Sequence, residues 1–180
     1  VSTVGAFAEY QQQQAWVWEH QALTRARFSA GDAEIGAAFE NIRRQVLCQP
    51  RELAALRKEI LAMRQKMLDG HPNETDLFDI KHDRGGMVDI EFMVQYLVLA
   101  YAHQHPQLTA NIGNLALLKL SGELGLIPAS LAEQTRTLYR TLRQAQHRIR
   151  LNSQLPCRVE HGQIEVAACR KLWEVLFENT

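Results

Sequence analysis

The stretch DIKHDRGGMVDIEF, residues 79–92, decides how this chain is read. Two adjacent glycines, Gly85 and Gly86, follow the cations Lys81 and Arg84 and stand at the head of an apolar helix that carries Asp89 and Glu91. Glycine opens backbone conformations closed to other residues and leaves no side chain between the backbone and whatever approaches it. A helix that begins at the same point aims unpaired N–H groups and the positive end of its dipole there. Lys81, Arg84 and the glycine turn therefore describe an anion site suited to phosphate. The same residues also fit a tight structural turn, with Asp89 balancing the helix dipole and both cations solvated. A glycine pair is not a G-x-x-x-x-G-K-[ST] loop, so the residues by themselves leave both readings open.

On the N-terminal side of this stretch, residues 70–78 with 79–86 hold one Pro, one Asn, three Asp and three Gly and little periodicity. That composition predicts an irregular connection with a short extended piece at Leu77 to Lys81, and connections of such length are often functional. Almost everything else reads as helix. The pattern predicts a first helix from about Thr3 to Phe28, with Trp16 and Trp18 on nearly opposite sides and in contact on both. A second begins after Ser29 or Asp32 and lines up Ile35, Ala38, Phe39, Ile42 and Val46. Pro50 starts a third, about Arg51 to Leu68, whose apolar line is Leu53, Leu56, Ile60, Met63 and Met67, pairing with the second as a hairpin. The apolar helix after Gly86 should end between His103 and Pro106. A further helix stops at Gly125, Pro128 starts the longest one, Ala129 to Leu151, and the last runs from about Ile164 to Glu178. The expected fold is all-α, a bundle of six to seven helices forming one domain over residues 1–180.

Charged residues on these helices are the remaining candidates. Glu91 and Gln95 stack four apart on an otherwise apolar helix; an unpaired buried carboxylate is costly, so Glu91 must meet a cation or line a wet cleft. Glu19 shares a face with Ala15, Ala22, Leu23 and Ala26, and Arg25 and Arg27 are within reach as its partners. Arg136, Arg140, Arg143 and His147, continued by Arg150, draw a basic stripe along the longest helix, either a docking face for an acidic partner or simply solvated charge.

Composition removes several classes. Lys plus Arg and Asp plus Glu number 20 each, which gives no overall electrostatic attraction to nucleic acid or membrane. The three cysteines show no CxxC pair or zinc spacing, which argues for a reducing, cytoplasmic setting. The seven histidines are scattered and predict no metal site. The apolar run Phe92 to Ala102 is too short to span a bilayer, so the expectation is a soluble protein. The chain opens on Val1 without an initiator methionine, as a piece of something longer would.

Two segments together are more specific than either alone. AFAEYQQQQAWVWEHQALTRAR, followed downstream by DIKHDRGGMVDIEFMVQYLVL, resembles the C-terminal part of the bifunctional glutamine synthetase adenylyltransferase/adenylyl-removing enzymes, and the likeness runs through to KLWEVLFENT. The family signature K-x-G-x-G-G followed by an acidic-Ile-Glu-Phe run is matched by Lys81, Gly85, Gly86, Asp89, Ile90, Glu91 and Phe92, with Asp83 where a glycine often stands. The resemblance implies a parent with two nucleotidyltransferase cores, each followed by a helical domain. One half attaches AMP to a tyrosine of glutamine synthetase and the other removes it by phosphorolysis. This chain resembles the helical domain after the attaching core. ATP and Mg2+ would then be used by the parent, with the metal-holding carboxylates in the core, so no catalytic residue is expected in the fragment and none of its residues is expected to hold metal. Lys81, Arg84, Gly85 and Gly86 would face the nucleotide, and Asp89 and Glu91 would orient the cations. The partners implied are glutamine synthetase, the PII signal protein and the parent's own core. The alternative reading is a regulatory docking module that binds PII protein or glutamine synthetase without touching nucleotide, through the stripe Arg136 to Arg150.

Overall fold

The computed structural model describes residues 2–152 and 156–178. Among them the chain is all-α apart from one small ribbon: helices α1 Val4–Gln13, α2 Val17–Leu23, α3 Ala33–Leu47 and α4 Leu53–Asp69 precede strand β1 Leu77–Asp79 and helix α5 Met87–Tyr101. A short 3-10 turn at Pro106–Thr109, α6 Asn114–Glu123, α7 Ala129–Leu151, strand β2 Arg158–Glu160 and α8 Ala167–Phe177 follow. The expected six to seven helices become eight because the first is broken. Trp16 is extended, with ψ at 159°, and Glu19 reaches back to accept its N–H at 2.8 Å, so a new helix is capped where a continuous one was expected. Trp16 and Trp18 are exposed, 67% and 50%, not packed on two sides. Ile35 also lies outside the face expected for it and is exposed.

Two compact units are built from interleaved stretches. The first takes the residues up to Ile60 together with Gln95–Gly113. Here Asp32 caps α3 by accepting from the N–H groups of Glu34 and Ile35, and α3 packs on α1, α2 and the 3-10 turn. Its core joins Leu23, Ile42, Val46, Leu47, Leu56, Ile60 and Leu97. A charged side chain lies inside it. Arg43, only 3% exposed, donates to the carbonyls of Leu23 at 2.9 Å, Thr24 at 2.8 Å and Thr109 at 2.8 Å, closing the end of α2 and the 3-10 turn onto α3.

The second unit takes Leu61–Val94 and the residues from Asn114 onward. Its ribbon pairs β1 and β2 antiparallel, Phe78 opposite Val159, and the ladder is continued by the Ile80 N–H donating to the Cys157 carbonyl at 3.1 Å. Helix α7 packs against α6 and α8. Gly122 allows the approach to α6: a Cβ there would stand 2.9 Å from that of Ala132. Apolar residues occupy every side of α5 and nearly all are buried, as expected of a helix enclosed by others. No helix among the described residues is long and apolar enough to cross a membrane.

The position of Arg43 generates a prediction. Arg43→Met leaves three carbonyls without their donor and lowers unfolding free energy by about 3 kcal/mol, measured by urea titration; a loss under about 1 kcal/mol would mean that water satisfies those carbonyls equally well.

Candidate functional site

The turn between β1 and α5 is assembled from its own polar groups. Asp79 ends the strand and its Oδ1 accepts from the N–H groups of Lys81 at 2.8 Å and His82 at 2.9 Å, folding the chain back on itself. Asp83 Oδ2 accepts from the Asp79 N–H at 2.8 Å and the Asn73 amide at 2.7 Å, tying the turn to the loop before it. The N–H of Gly86 then donates to the Asp83 carbonyl at 2.9 Å, that of Met87 to Ile80 at 3.0 Å and that of Val88 to Lys81 at 3.1 Å.

Both glycines are required by this geometry. Gly85 has φ +92°, and a Cβ on it would stand 3.0 Å from the Val166 side chain. A Cβ on Gly86 would lie 2.9 Å from the carbonyl oxygens of Asp83 and Ile80. The Gly85 N–H donates to Asp89 Oδ2 at 2.6 Å. Backbone donors from 85 to 88 thus all have acceptors within the protein, and the carboxylate at the helix start is the protein's own.

Asp89 is held from its other side by a residue that sequence reasoning passed over. Arg64 on α4 is fully buried and its Nε donates to Asp89 Oδ1 at 2.6 Å, while its Nη2 donates to the His82 carbonyl at 2.6 Å. The expectation that Asp89 orients Lys81 and Arg84 is corrected: its cation is Arg64. Position 64 follows Ile60 by four and precedes Met67 by three, so an arginine on the apolar line of α4 was the available signal.

Lys81 and Arg84 are exposed. Arg84 is nevertheless placed: it donates to Gln65 Oε1 at 3.0 Å, and its guanidinium lies 5.4 Å from the centre of the Trp173 ring on α8. His82 stacks on His71 with ring centres 4.1 Å apart. Burial pushes His82 below the usual histidine range, with His71 and Lys81 adding to the effect and the Asp79 carboxylate opposing it. In the first unit burial likewise lowers His20, against the opposing effect of its hydrogen bond to the Gln11 carbonyl.

The remaining candidates are not brought to this turn by any contact within a unit. Glu91 accepts from the Tyr139 hydroxyl at 2.9 Å, and the same hydroxyl accepts from the Asn114 amide at 2.9 Å. Burial and the Glu91 charge push the Tyr139 hydroxyl up. Glu19 accepts from the Tyr10 hydroxyl at 2.7 Å and the Trp16 N–H, which hold it below the usual carboxylate range. Those two groups, not Arg25 or Arg27, are its partners, because the break after α1 turns Glu19 into a capping residue; both arginines are exposed. The basic stripe is interrupted at its first member: Arg136 donates to the Leu115 carbonyl at 2.9 Å and pairs with Glu133, whereas Arg140, Arg143 and Arg150 are exposed.

Among the described residues the carboxylates of the turn do not offer a magnesium ion an open set of ligands. No group of three or more His, Cys, Asp or Glu side chains among the described residues could hold a metal, and the acids of the turn already accept from backbone N–H groups, Asn73 or Arg64.

Residues 1–42 match the family model described as glutamate-ammonia ligase adenylyltransferase, and residues 53–157 that described as GlnD PII-uridylyltransferase. The chain is 55% identical to a bifunctional glutamine synthetase adenylyltransferase/adenylyl-removing enzyme of Nitrosomonas europaea, over 98% of this chain and 21% of that protein. Enzymes of the same name from Aromatoleum aromaticum and Burkholderia mallei are 56% and 54% identical, each over 98% of this chain and 19% and 20% of their own length. The chain spans about a fifth of the length of these curated relatives.

Two predictions arise from the turn and its histidines. Asp89→Asn and Arg64→Met each lower unfolding free energy by about 3–5 kcal/mol in denaturant titrations, since each strands a buried partner. The double variant loses less than the sum of the two. For pH, the folded chain holds His20 and His82 below their ordinary values, so the unfolded chain takes up protons first. Stability is complete above about pH 6.5 and declines as pH falls from there towards the folded-state values. Thermal melting between about pH 7.5 and about pH 5 should show that decline, with a smaller slope in His82→Gln; a slope unchanged by that substitution would remove His82 from the account.

Proposed function

The chain belongs to the GlnD PII-uridylyltransferase family, whose model covers residues 53–157, and to the bifunctional glutamine synthetase adenylyltransferase/adenylyl-removing enzymes, and from that premise we propose that it is the helical domain that completes the nucleotide cleft of the AMP-attaching half. On this reading residues 1–180 act as one helical domain following a nucleotidyltransferase core. The core supplies the magnesium-holding carboxylates, and the whole enzyme, in the bacterial cytoplasm, moves AMP from ATP to a tyrosine of glutamine synthetase. The fragment alone is inactive.

The observation that carries the reading is the position of the turn within a shared segment. The uridylyltransferase model matched over residues 53–157 contains all of DIKHDRGGMVDIEF, and the adenylyltransferases that align with 98% of the chain bear names that differ from it in nucleotide and in protein target. What an adenylyl and a uridylyl transfer have in common is the triphosphate. A structural part common to both belongs with the phosphates or with the core that holds them, not with the base or the target protein.

The backbone donors of the turn are satisfied internally, so contact with phosphate falls to side chains. Lys81 and Arg84 project from a turn fixed by Asp79, Asp83, Gly85, Gly86 and Asp89, and Gln65 and Trp173 hold Arg84 in position. Cations held in place stabilise charge that moves onto the pyrophosphate leaving group and need no reorganisation as it develops. Glu91 supports α5 through Tyr139. A second reading, favoured by the exposure of Arg140, Arg143 and Arg150, makes the domain a docking module for PII protein or glutamine synthetase.

The test is the rate of glutamine synthetase adenylylation against ATP concentration in the full-length enzyme. Lys81→Ala and Arg84→Ala should each reduce kcat/KM for ATP about thirtyfold, roughly 2 kcal/mol of transition-state stabilisation, with melting temperature retained. Unchanged kinetics in both variants would overturn the nucleotide-cleft reading and leave docking through α7 as the function.

A further inference from the structure

Helix α8 contributes to the glycine turn in a way that the sequence pattern does not announce. Val166, Arg170 and Trp173 are spaced by four and three residues and form one face of the chain at the start of α8 and in its first two turns. All three meet the turn: Val166 fills the space left by the missing side chain of Gly85, Arg170 Nε lies 3.6 Å from where a Cβ of Gly85 would be, and the Trp173 ring lies under Arg84. The residue that fits φ +92° is thus also the residue that lets the Arg170 side chain reach the turn that carries Arg84.

Among the described residues neither arginine pairs with a carboxylate. Arg84 is bound by an amide oxygen and an aromatic face. Arg170 is exposed and has no hydrogen-bond or ion-pair partner among the described residues, and Glu174, one helical turn further, makes no ion pair with it. Of the acids of the turn, Asp89 is taken by Arg64 and the Gly85 N–H, and Asp79 and Asp83 accept from backbone N–H groups and Asn73. Arg84 precedes Gly85 in the chain and Arg170 reaches it from α8, and an anion with several oxygens offers each guanidinium fork a bidentate partner.

We infer that Arg170 and Arg84 form a two-arginine clamp for a phosphate group of the nucleoside triphosphate, carried jointly by the turn and by α8. This rests on the nucleotide-cleft reading and deepens it by adding a binding residue from a distant part of the chain. Lys81 is the third cation at the same turn. Arg64 has no share in the clamp because it is fully buried, with Nε on Asp89 and Nη2 on the His82 carbonyl.

The experiment uses the full-length enzyme with Arg170→Ala, Arg170→Lys and Arg84→Ala. It measures affinity for a non-hydrolysable ATP analogue by calorimetry at two ionic strengths, together with KM for ATP, kcat and melting temperature. Arg170→Ala should weaken analogue binding and raise KM by about tenfold or more, the factor carried by a lost charge-assisted hydrogen bond, with melting temperature unchanged. Arg170→Lys should recover only part of the loss, since an ammonium keeps the charge and lacks the fork. The Arg170→Ala variant should also lose affinity less steeply with salt than the parent. If Arg84→Ala weakens binding and Arg170→Ala does not, the clamp is wrong and the cleft reading stands. If neither matters, both fall. A loss in Arg170→Ala that follows a drop in melting temperature and is restored fully by Arg170→Lys would make the residue a packing element of α8 and overturn the clamp.

Discussion

The contact between the Arg64 guanidinium and the Asp89 carboxylate, both out of reach of water, is the constraint on which the second unit is arranged. Taking both charges out of solvent is expensive, and the expense is offset by their short contact and the hydrogen bonds around it, although Arg64 Nη1 is buried without a partner among the described residues. Asp89 also receives the Gly85 N–H, and Arg64 also donates to the His82 carbonyl. One ion pair therefore fixes α4, the middle of the turn and the first residues of α5 at once. Cys169 lies in the same surroundings, and burial with the Asp89 charge nearby pushes its thiol up and keeps it unreactive.

That arrangement changes the meaning of a helix start with two glycines. A helix N-terminus attracts an anion, and here the anion is supplied by residue 89 of the same helix. The glycines serve packing and conformation: one accepts a left-handed φ against Val166, the other lets three carbonyls close around it. Charge available to a ligand is displaced outward, onto side chains that the turn carries but does not neutralise. Rigidity inside and unpaired charge outside are two results of the same hydrogen-bond network.

Much of this organisation was legible in the sequence. Helix-terminating glycines and prolines marked α4, α6 and α7, the loss of periodicity marked the connection before α5, and Leu77 to Lys81 stood out as its extended piece. Elements decided by tertiary partners were not legible. Arg43 and Arg64 look like surface arginines until one notices that they occupy core-facing positions, and their acceptors lie far along the chain. Glu19 reads as half of a salt bridge because nothing local says that the helix breaks three residues before it. Arg170 could not be assigned to the glycine turn from spacing, since the contact joins residues 85 and 170.

The ribbon has a temporal side. Strand β1 lies opposite β2, and the Ile80 N–H waits for the Cys157 carbonyl, so a turn formed early in synthesis gains its pairing partner only when much later residues emerge. Such long-range closure is entropically slow and raises the contact order of the second unit. A chain clipped before Cys157 would lose that pairing, while the turn bearing Lys81 and Arg84 would keep the local hydrogen bonds of Asp79 and Asp83.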